Sequence, residues 1–477
     1  MQSALSVLVD LEAVDTERLL AIGTEREVHR GDAVITEGVQ PSELYIVLEG
    51  LVEARLNALG GHVLGRLGQG ELLGEVSWLE ERPASATVLV VEDALLLAIP
   101  RAALAKLLES DAGLATRLHR ALGRLVARRL RARSDELGVR TAASRGAAAL
   151  RELTPWRRIE PAIDSLKDLL ISAEGQTRKA GGALPRDLVT TAQKGMGALS
   201  KLLKAELGPG AGLDEALRDE VGALVRRELH PYLLLSRVME RIYTKPRGYA
   251  GDFLTIQWMY ENTAGGSSAG GILLDSVCLE LPSAKAVRNR RALLANEIAT
   301  ACTRGGKVTS LACGPAEELF DVFRGNGADL KATLLDIDLQ ALALVSDRRD
   351  QLGLKPQMRL EHANLVYLAT GRARLDFPPQ DLIYSIGLID YFQDRFVVAL
   401  LDWIHERLAT GGKVILGNFH PQNPDRELMD HVLDWRLIHR DENHMNALFQ
   451  ASRFGRPCTE IRFEAECVNL FAMGVKE

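Results

Sequence analysis

Between residues 25 and 100, apolar and polar positions alternate in short runs, EVHR, AVITEG, ELYIVLEG, LVEARL, HVLGRL and ATVLVVEDALLLAIP, with glycine between them. Period-two alternation punctuated by turn residues predicts half-buried strands, hence a compact all-β unit. From Arg101 to about Leu137 the period lengthens to that of a helix. Leu104, Leu107, Leu108, Leu118, Leu122, Leu125, Val126 and Leu130 form one apolar stripe along it. Residues 140–240 keep helical patterning, broken at GQTRKAGGALPRD and GPGAG. AGGSSAGG at 264–271 has no side chain larger than serine, which predicts a mobile loop. From about Lys307, strand patterns (KVTSLA, ATLLDID, MRLEHAN, DLIYSIG, KVILGNF) alternate with helical ones (AEELFDVFRG, LQALALVSDRRDQL, RFVVALLDWIHERL). Such alternation predicts a parallel sheet wound on both faces. TEIRFEAECVNLFAMGVKE reads as one or two further strands, an antiparallel pair at the sheet edge.

The chain's 477 residues suit two to four domains at roughly 100–200 residues each. The expected division is 1–135 for the β unit with its exit helix, 136–240 for a helical connector, 241–300 for a helical cap or acceptor segment, and 301–477 for the α/β sheet. A net charge of −6 is too balanced for a protein that coats nucleic acid or an anionic membrane. Even so, seven arginines and no acid lie between Arg117 and Arg133. Arg117, Arg120, Arg124, Arg128 and Arg131 share the polar face of the exit helix, read as a solvated face pairing with acids elsewhere. No run approaches the ~20 apolar residues of a membrane-spanning helix. The opening MQSALSVLVDLEAVDTERLL lacks the basic start of a secretory signal, so a cytoplasmic protein is expected. Cys278, Cys302, Cys313, Cys458 and Cys467 include no CxxC pair, and reduced thiols with no metal site are expected.

GQGELLGEVSWLEERPASATV (68–88), with RGDAVITEG and ELYIVLEG before it, resembles the phosphate-binding cassette of cyclic-nucleotide-binding domains. The resemblance covers roughly residues 15–135 and implies a β-roll. It also implies a regulatory ligand site at Gly74, Glu75, Ser85 and Thr87, with Glu75 as the ribose-binding acid and a cyclic nucleotide or other anionic ligand as partner. Ligand-binding members carry an arginine after the proline of this cassette; here Ala84 follows Pro83, and Arg82 lies two positions early. A guanidinium contact to phosphate contributes about 1.5–3 kcal/mol, so its loss weakens binding by one to two orders of magnitude. A docking or dimerising scaffold is an equally open reading of the same roll.

KVTSLACGPAEEL (307–319) is a strand, a turn and a helix start, where a doubly wound sheet brings a ligand against backbone amides. Its single Gly314 followed by Pro315 argues against the GxGxxG of a dinucleotide enzyme. Asp336 ends the next strand, placed to accept two ribose hydroxyls, and Asn364 ends the third. With DLIYSIGLIDYF, LATGGKVILGNF and the β-rich end, this order resembles class I, Rossmann-like S-adenosylmethionine-dependent methyltransferases over about 300–477. The resemblance implies that Ala312, Cys313 and Gly314 line the methionine side of S-adenosyl-L-methionine, Asp336 binds ribose, and Asn364 with Leu365 flanks adenine. The acid often found two residues before the first glycine is Ser310 here.

KPRGYAGDFLTIQWMY (245–260) and SAKAVRNRRALLANEI (283–298) resemble the segment before the core of bacterial methyltransferases that form 3-hydroxy fatty acid methyl esters. Arg288, Arg290, Tyr260 and Asp252 are therefore the acceptor-binding candidates, the arginine pair suiting a carboxylate on a small or lipid-like acceptor. His420, Tyr391 and Tyr249 are the catalytic candidates, the first two at strand ends where ligands bind. The polar stretch DWRLIHRDENHMNALF (434–449) is read as a solvated surface segment. The whole predicts a multidomain methyltransferase: an N-terminal β-roll, a helical connector and a C-terminal α/β Rossmann-like sheet. A ligand-responsive regulator or scaffold with vestigial sites is the alternative, and a homodimer through the 101–135 helix is one use of its apolar stripe.

Overall fold

A computed structural model describes residues 13–56, 62–68, 71–123, 125–126, 146, 149–302, 305–325 and 329–477. By contacts the chain divides into two compact units, Met1–Ala143 with Lys245–Tyr249, and Ser144–Thr244 with Ala250–Glu477.

In the first unit, β1 (Thr24–Val28), β2 (Ala33–Ile35), β3 (Glu43–Leu56), β4 (His62–Leu67), β5 (Leu72–Leu73) and β6 (Thr87–Pro100) pair antiparallel. The order is β1-β6-β3-β4, with β2 on β6 and β5 on β3. The alternation closes an apolar interior around Val47, Val52, Leu96 and Ala98, each fully buried. Register slips around Gly50 (φ 83°), where a Cβ would run into the Asp93 carbonyl, so the bulge requires glycine. The helix Arg101–Ser110 follows, and the chain is helical again over 112–123. Leu104, Leu108, Leu118, Leu122 and Leu125 of the stripe are buried, and Leu107 and Val126 are half-buried. On its polar face Arg117 grips the buried Asp15 through Nε at 2.6 Å and a terminal nitrogen at 2.8 Å. Arg124, Arg128, Leu130 and Arg131, with the rest of 127–135 at the end of the stretch expected to dimerise, lie outside the described residues.

The second unit holds a helical layer and a sheet around shared cores. Helices run Thr154–Lys179, Arg186–Leu207, Glu215–Leu233, Arg237–Thr244, Phe253–Glu261, Ala269–Leu279 and Pro282–Cys302. Their apolar faces, among them Trp156, Ile163, Leu199, Val225 and Leu273, share one core with Phe419 of the sheet and Met429, Leu433, Trp435 and Val468 of its connections. The stretches expected as connector and cap therefore pack as one body with the sheet. AGGSSAGG is not a mobile loop. Ser268 caps the helix Ala269–Leu279, Glu174 accepts the Ala269 N–H at 2.6 Å, and Gly271 packs so tightly on the Leu235 carbonyl that a Cβ would collide. Small residues here permit close helix contact.

The sheet comprises β7 (Lys307–Leu311), β8 (Lys331–Asp336), β9 (Met358–His362), β10 (Gln380–Ser385), β11 (Leu408–Phe419), β12 (Glu460–Phe463) and β13 (Asn469–Val475). Its order is β9-β8-β7-β10-β11-β13-β12. The first five strands in sequence are parallel, and β13 joins β11 antiparallel with β12 outside it. The chain moves outward from β7 to β9 and then returns to β10 on the other side of β7. The crevice beyond the carboxyl ends of β7 and β10 is thus the switch point where such sheets bind ligands.

Candidate functional site

After β7 the backbone turns through Ala312–Ala316 into the helix Glu317–Arg324. Ala312 (φ 53°), Gly314 (φ 52°) and Ala316 (φ 50°) all adopt left-handed backbone. Two of them carry a Cβ, crowding that costs roughly 1–2 kcal/mol per residue, so surrounding bonds must hold the turn. Those bonds come from β8. Cys313 N–H donates to the Leu335 carbonyl at 3.0 Å, and Gly314 N–H to Asp336 Oδ2 at 2.9 Å. The other Asp336 oxygen accepts Asp338 N–H at 2.9 Å. Asp336 is 6% exposed, and burial pushes its carboxyl up to about 6 against the pull of these amides. The Ala363 N–H donates to the Asp336 carbonyl at 3.0 Å, bringing the end of β9 alongside. There Asn364 caps the helix Leu365–Ala369, Oδ1 accepting from Val366 at 2.9 Å, and Leu365 is buried. Ala312, Cys313, Gly314, Asp336, Asn364 and Leu365 therefore converge on one end of the sheet. Cys313 is buried, and its thiol is raised well above the usual range by that burial and by the nearby Asp336 and Glu318 carboxylates.

A second polar group lies over β7 and β10. Tyr384 pairs with Ser310 across these strands, and its hydroxyl donates to Glu318 Oε1 at 2.8 Å. Glu318 is buried, and that burial raises its carboxyl despite the Tyr384 bond and the neighbouring Arg290. Arg290 is 4% exposed, and its Nε finds no hydrogen-bond partner. Its guanidinium meets the Tyr260 hydroxyl, and its charge acts on the Asp390 carboxylate without an ion pair between them. It also fills the space beside Gly387 (φ 73°), where a Cβ would stand 3.3–3.5 Å from its terminal nitrogens.

Arg288 does not join it. Two residues along a helix turn a side chain about 200°, and Arg288 donates instead to the Leu279 carbonyl at 2.6 Å and to Glu280 at 3.3 Å. Asp252 is also committed elsewhere: Oδ1 accepts Thr255 N–H at 2.9 Å as a helix cap and Arg241 Nε at 3.0 Å. Tyr260 stays with the arginines, the Arg291 guanidinium lying 5.4 Å over its ring.

Beyond β10, Tyr391 accepts a hydrogen bond from Trp435 Nε1 at 2.9 Å, and burial raises its hydroxyl. Tyr249 falls within Lys245–Tyr249, the segment grouped with the first unit. Beyond β11, His420 is buried, with Nε2 3.2 Å from Glu442 Oε2, and its Nδ1 accepts Gln422 N–H at 3.3 Å. The segment 434–449 is not a solvated surface stretch. Arg440 is fully buried and donates to the Ile389 carbonyl (2.9 Å), Phe392 carbonyl (2.5 Å), Asn418 Oδ1 (2.9 Å) and Asp394 (2.9 Å). It locks the loop after β10 to β11. His439 is half-buried, and desolvation pushes its ring down to about 4, while His444 Nε2 lies 2.7 Å from Asp394.

In the first unit, Gly74 (φ 85°) precedes the short helix Glu75–Glu80, and Glu75 is buried. Ala84 is buried, its N–H donating to the Val39 carbonyl and its own carbonyl accepting from Gly38. Ser85 is exposed, whereas Thr87 is buried with Oγ1 accepting Glu37 N–H at 3.0 Å. The two hydroxyls thus sit in different surroundings.

Residues 25–111 match the family model of the cyclic nucleotide-binding domain. A cAMP-dependent protein kinase regulatory subunit of Mycosarcoma maydis is 44% identical over 64 residues, 13% of this chain and 12% of that protein. The Pycsar effector protein XpPycTIR of Xanthomonas perforans is 32% identical over 114 residues, 24% of this chain and 37% of its own length. The chain thus spans well under half of the curated relatives it matches. Magnesium protoporphyrin IX methyltransferase (ChlM) of Synechocystis PCC 6803, solved with bound SAM, superposes with a TM-score of 0.31 at 11% identity, over 41% of this chain and 83% of its own.

Proposed function

We propose that the second unit is an S-adenosylmethionine-dependent methyltransferase acting on a small or lipid-like acceptor, and that the cyclic nucleotide-binding domain serves it as a docking or regulatory module. Asp336 carries the reading. A carboxylate has about four lone-pair sites; two of those on Asp336 are taken by the Gly314 and Asp338 amides, leaving room for two vicinal hydroxyls. It stands at a strand end beside the switch point, the place where a nucleoside's ribose fits such a sheet. The residues present suit the cofactor: a ribose acceptor at Asp336, an adenine flank at Asn364 and Leu365, and the left-handed turn at 312–316 for close backbone approach.

S-adenosylmethionine supplies an activated methyl group, and the protein's part is to orient the acceptor and exclude water from the displacement. A carboxylate acceptor needs no base. With Arg288 bound to Leu279 and Glu280, the arginine pair expected to orient an acceptor carboxylate does not form. For an acceptor that carries a proton, His420 is the candidate base: with Nε2 held by Glu442, its Nδ1 would take the proton in exchange for the 3.3 Å bond from Gln422 N–H. Tyr391 contributes a neutral hydroxyl held by Trp435. In the N-terminal domain, Ala84 in place of the phosphate arginine favours docking over cyclic nucleotide sensing.

Incubation of the full chain with methyl-labelled S-adenosylmethionine and a bacterial lipid extract tests the reading. Label in an extractable product, lost in Asp336→Ala, is expected. Failure to label any fraction while the folded protein also binds no cofactor contradicts it.

A further inference from the structure

The turn at Cys313 and Gly314 is flanked by two acids, and only one has been given a partner in the ligand. Cys313 feels both the Asp336 and the Glu318 carboxylates. Asp336 faces the nucleoside end. Glu318 comes from the first turn of the following helix and lies over the β7–β10 pair, where Tyr384, opposite Ser310, fixes one of its oxygens. A carboxylate thus reaches the region where position 310 itself supplies only a hydroxyl. Beside it stands Arg290, nine-tenths buried, with Nε unpartnered and no carboxylate in ion-pair contact among the described residues. The Tyr260 hydroxyl and the charge of the buried Asp390 offset the desolvation of Arg290 in part, as Tyr384 does that of Glu318, but no ion pair joins these charges and Arg290 Nε stays unpartnered, which is costly in the free protein. A ligand that carries an ammonium and a carboxylate on one carbon would satisfy both.

Resting on the methyltransferase reading, we infer that Arg290 and Glu318 form a clamp for the amino-acid end of the adenosyl ligand. Arg290 takes the α-carboxylate and Glu318 the α-ammonium. Tyr384 positions Glu318, and Tyr260 positions Arg290. Gly387 leaves the guanidinium the room it needs. The clamp selects ligands with an intact amino acid and leaves binding of the nucleoside alone to Asp336.

Calorimetry on the full chain with two probes tests this: S-adenosylhomocysteine, which carries the amino acid, and 5′-methylthioadenosine, which lacks it. Arg290→Met and Glu318→Gln should each weaken S-adenosylhomocysteine by about tenfold or more, the contribution of a charge-assisted bond. Both should leave 5′-methylthioadenosine within about twofold, whereas Asp336→Ala weakens both probes. Glu318→Gln keeps the side chain's shape and an acceptor for Tyr384, so it remains informative if Arg290→Met fails to fold. Equal losses for both probes, or none for either, in folded variants overturn the clamp while leaving the cofactor assignment standing. Binding of neither probe by the folded wild-type chain overturns the cofactor assignment and the clamp with it.

Discussion

Asp336 joins two roles: its amide bonds fasten the 312–316 turn to β8, and the same carboxylate is the proposed ribose acceptor. Hydroxyl donors require its ionised form, and burial places its titration at about 6. Protonation below that pH therefore removes the acceptor. The affinity for S-adenosylhomocysteine should be constant above about pH 7 and should fall on acidification through pH 6, by up to about tenfold per unit. Asp336→Asn should bind weakly with no such slope, and an identical slope in both proteins would assign the titration to another group. Arg440 illustrates a structural charge. Its removal leaves two buried carbonyls and Asn418 without their donor, so Arg440→Met should lower unfolding free energy by about 3–5 kcal/mol in urea titration. Asp336 was legible because a carboxylate ending an apolar run marks a strand end. Arg440 was not, because its partners are carbonyls some fifty residues away. The expected Arg288–Arg290 pair failed for a simple reason: positions two apart on a helix face apart. Glu318 was hidden within an EE pair, since sequence does not reveal which of the two turns inward.

At the scale of elements, alternation located β7 to β11 and the antiparallel pair β12 and β13, because in each a strand's period and its bounding turn residues agree. The helical stretch over 140–240 was equally plain. What the pattern did not reveal was the partner of each apolar face, so helices read as a connector turned out to share a core with the sheet's connections. Small residues misled in the same way. In AGGSSAGG the absence of side chains permits contact with Leu235 and Leu170 instead of mobility. Gly271→Ala should therefore cost about 1–3 kcal/mol by overpacking, measurable as a lower urea midpoint. An unchanged midpoint would show that the helices separate at no cost.

For the whole molecule, the chain carries a cyclic nucleotide-binding domain and a mixed α/β unit, each with its own core. No helix among the described residues is long and apolar enough to cross a membrane. If the first domain docks and does not sense, the cause is the buried Ala84 where a guanidinium would meet phosphate. Ala84→Arg should then tighten cyclic AMP binding by about 10–100-fold in equilibrium dialysis, and tight binding by the wild-type chain would refute the docking role. The central claim concerns the second unit and is reached most directly by calorimetric titration of the full chain with S-adenosylhomocysteine, which needs no acceptor. The account predicts a dissociation constant of about micromolar order, weakened about tenfold or more by Asp336→Ala; a folded wild-type chain that gives no heat of binding would contradict it.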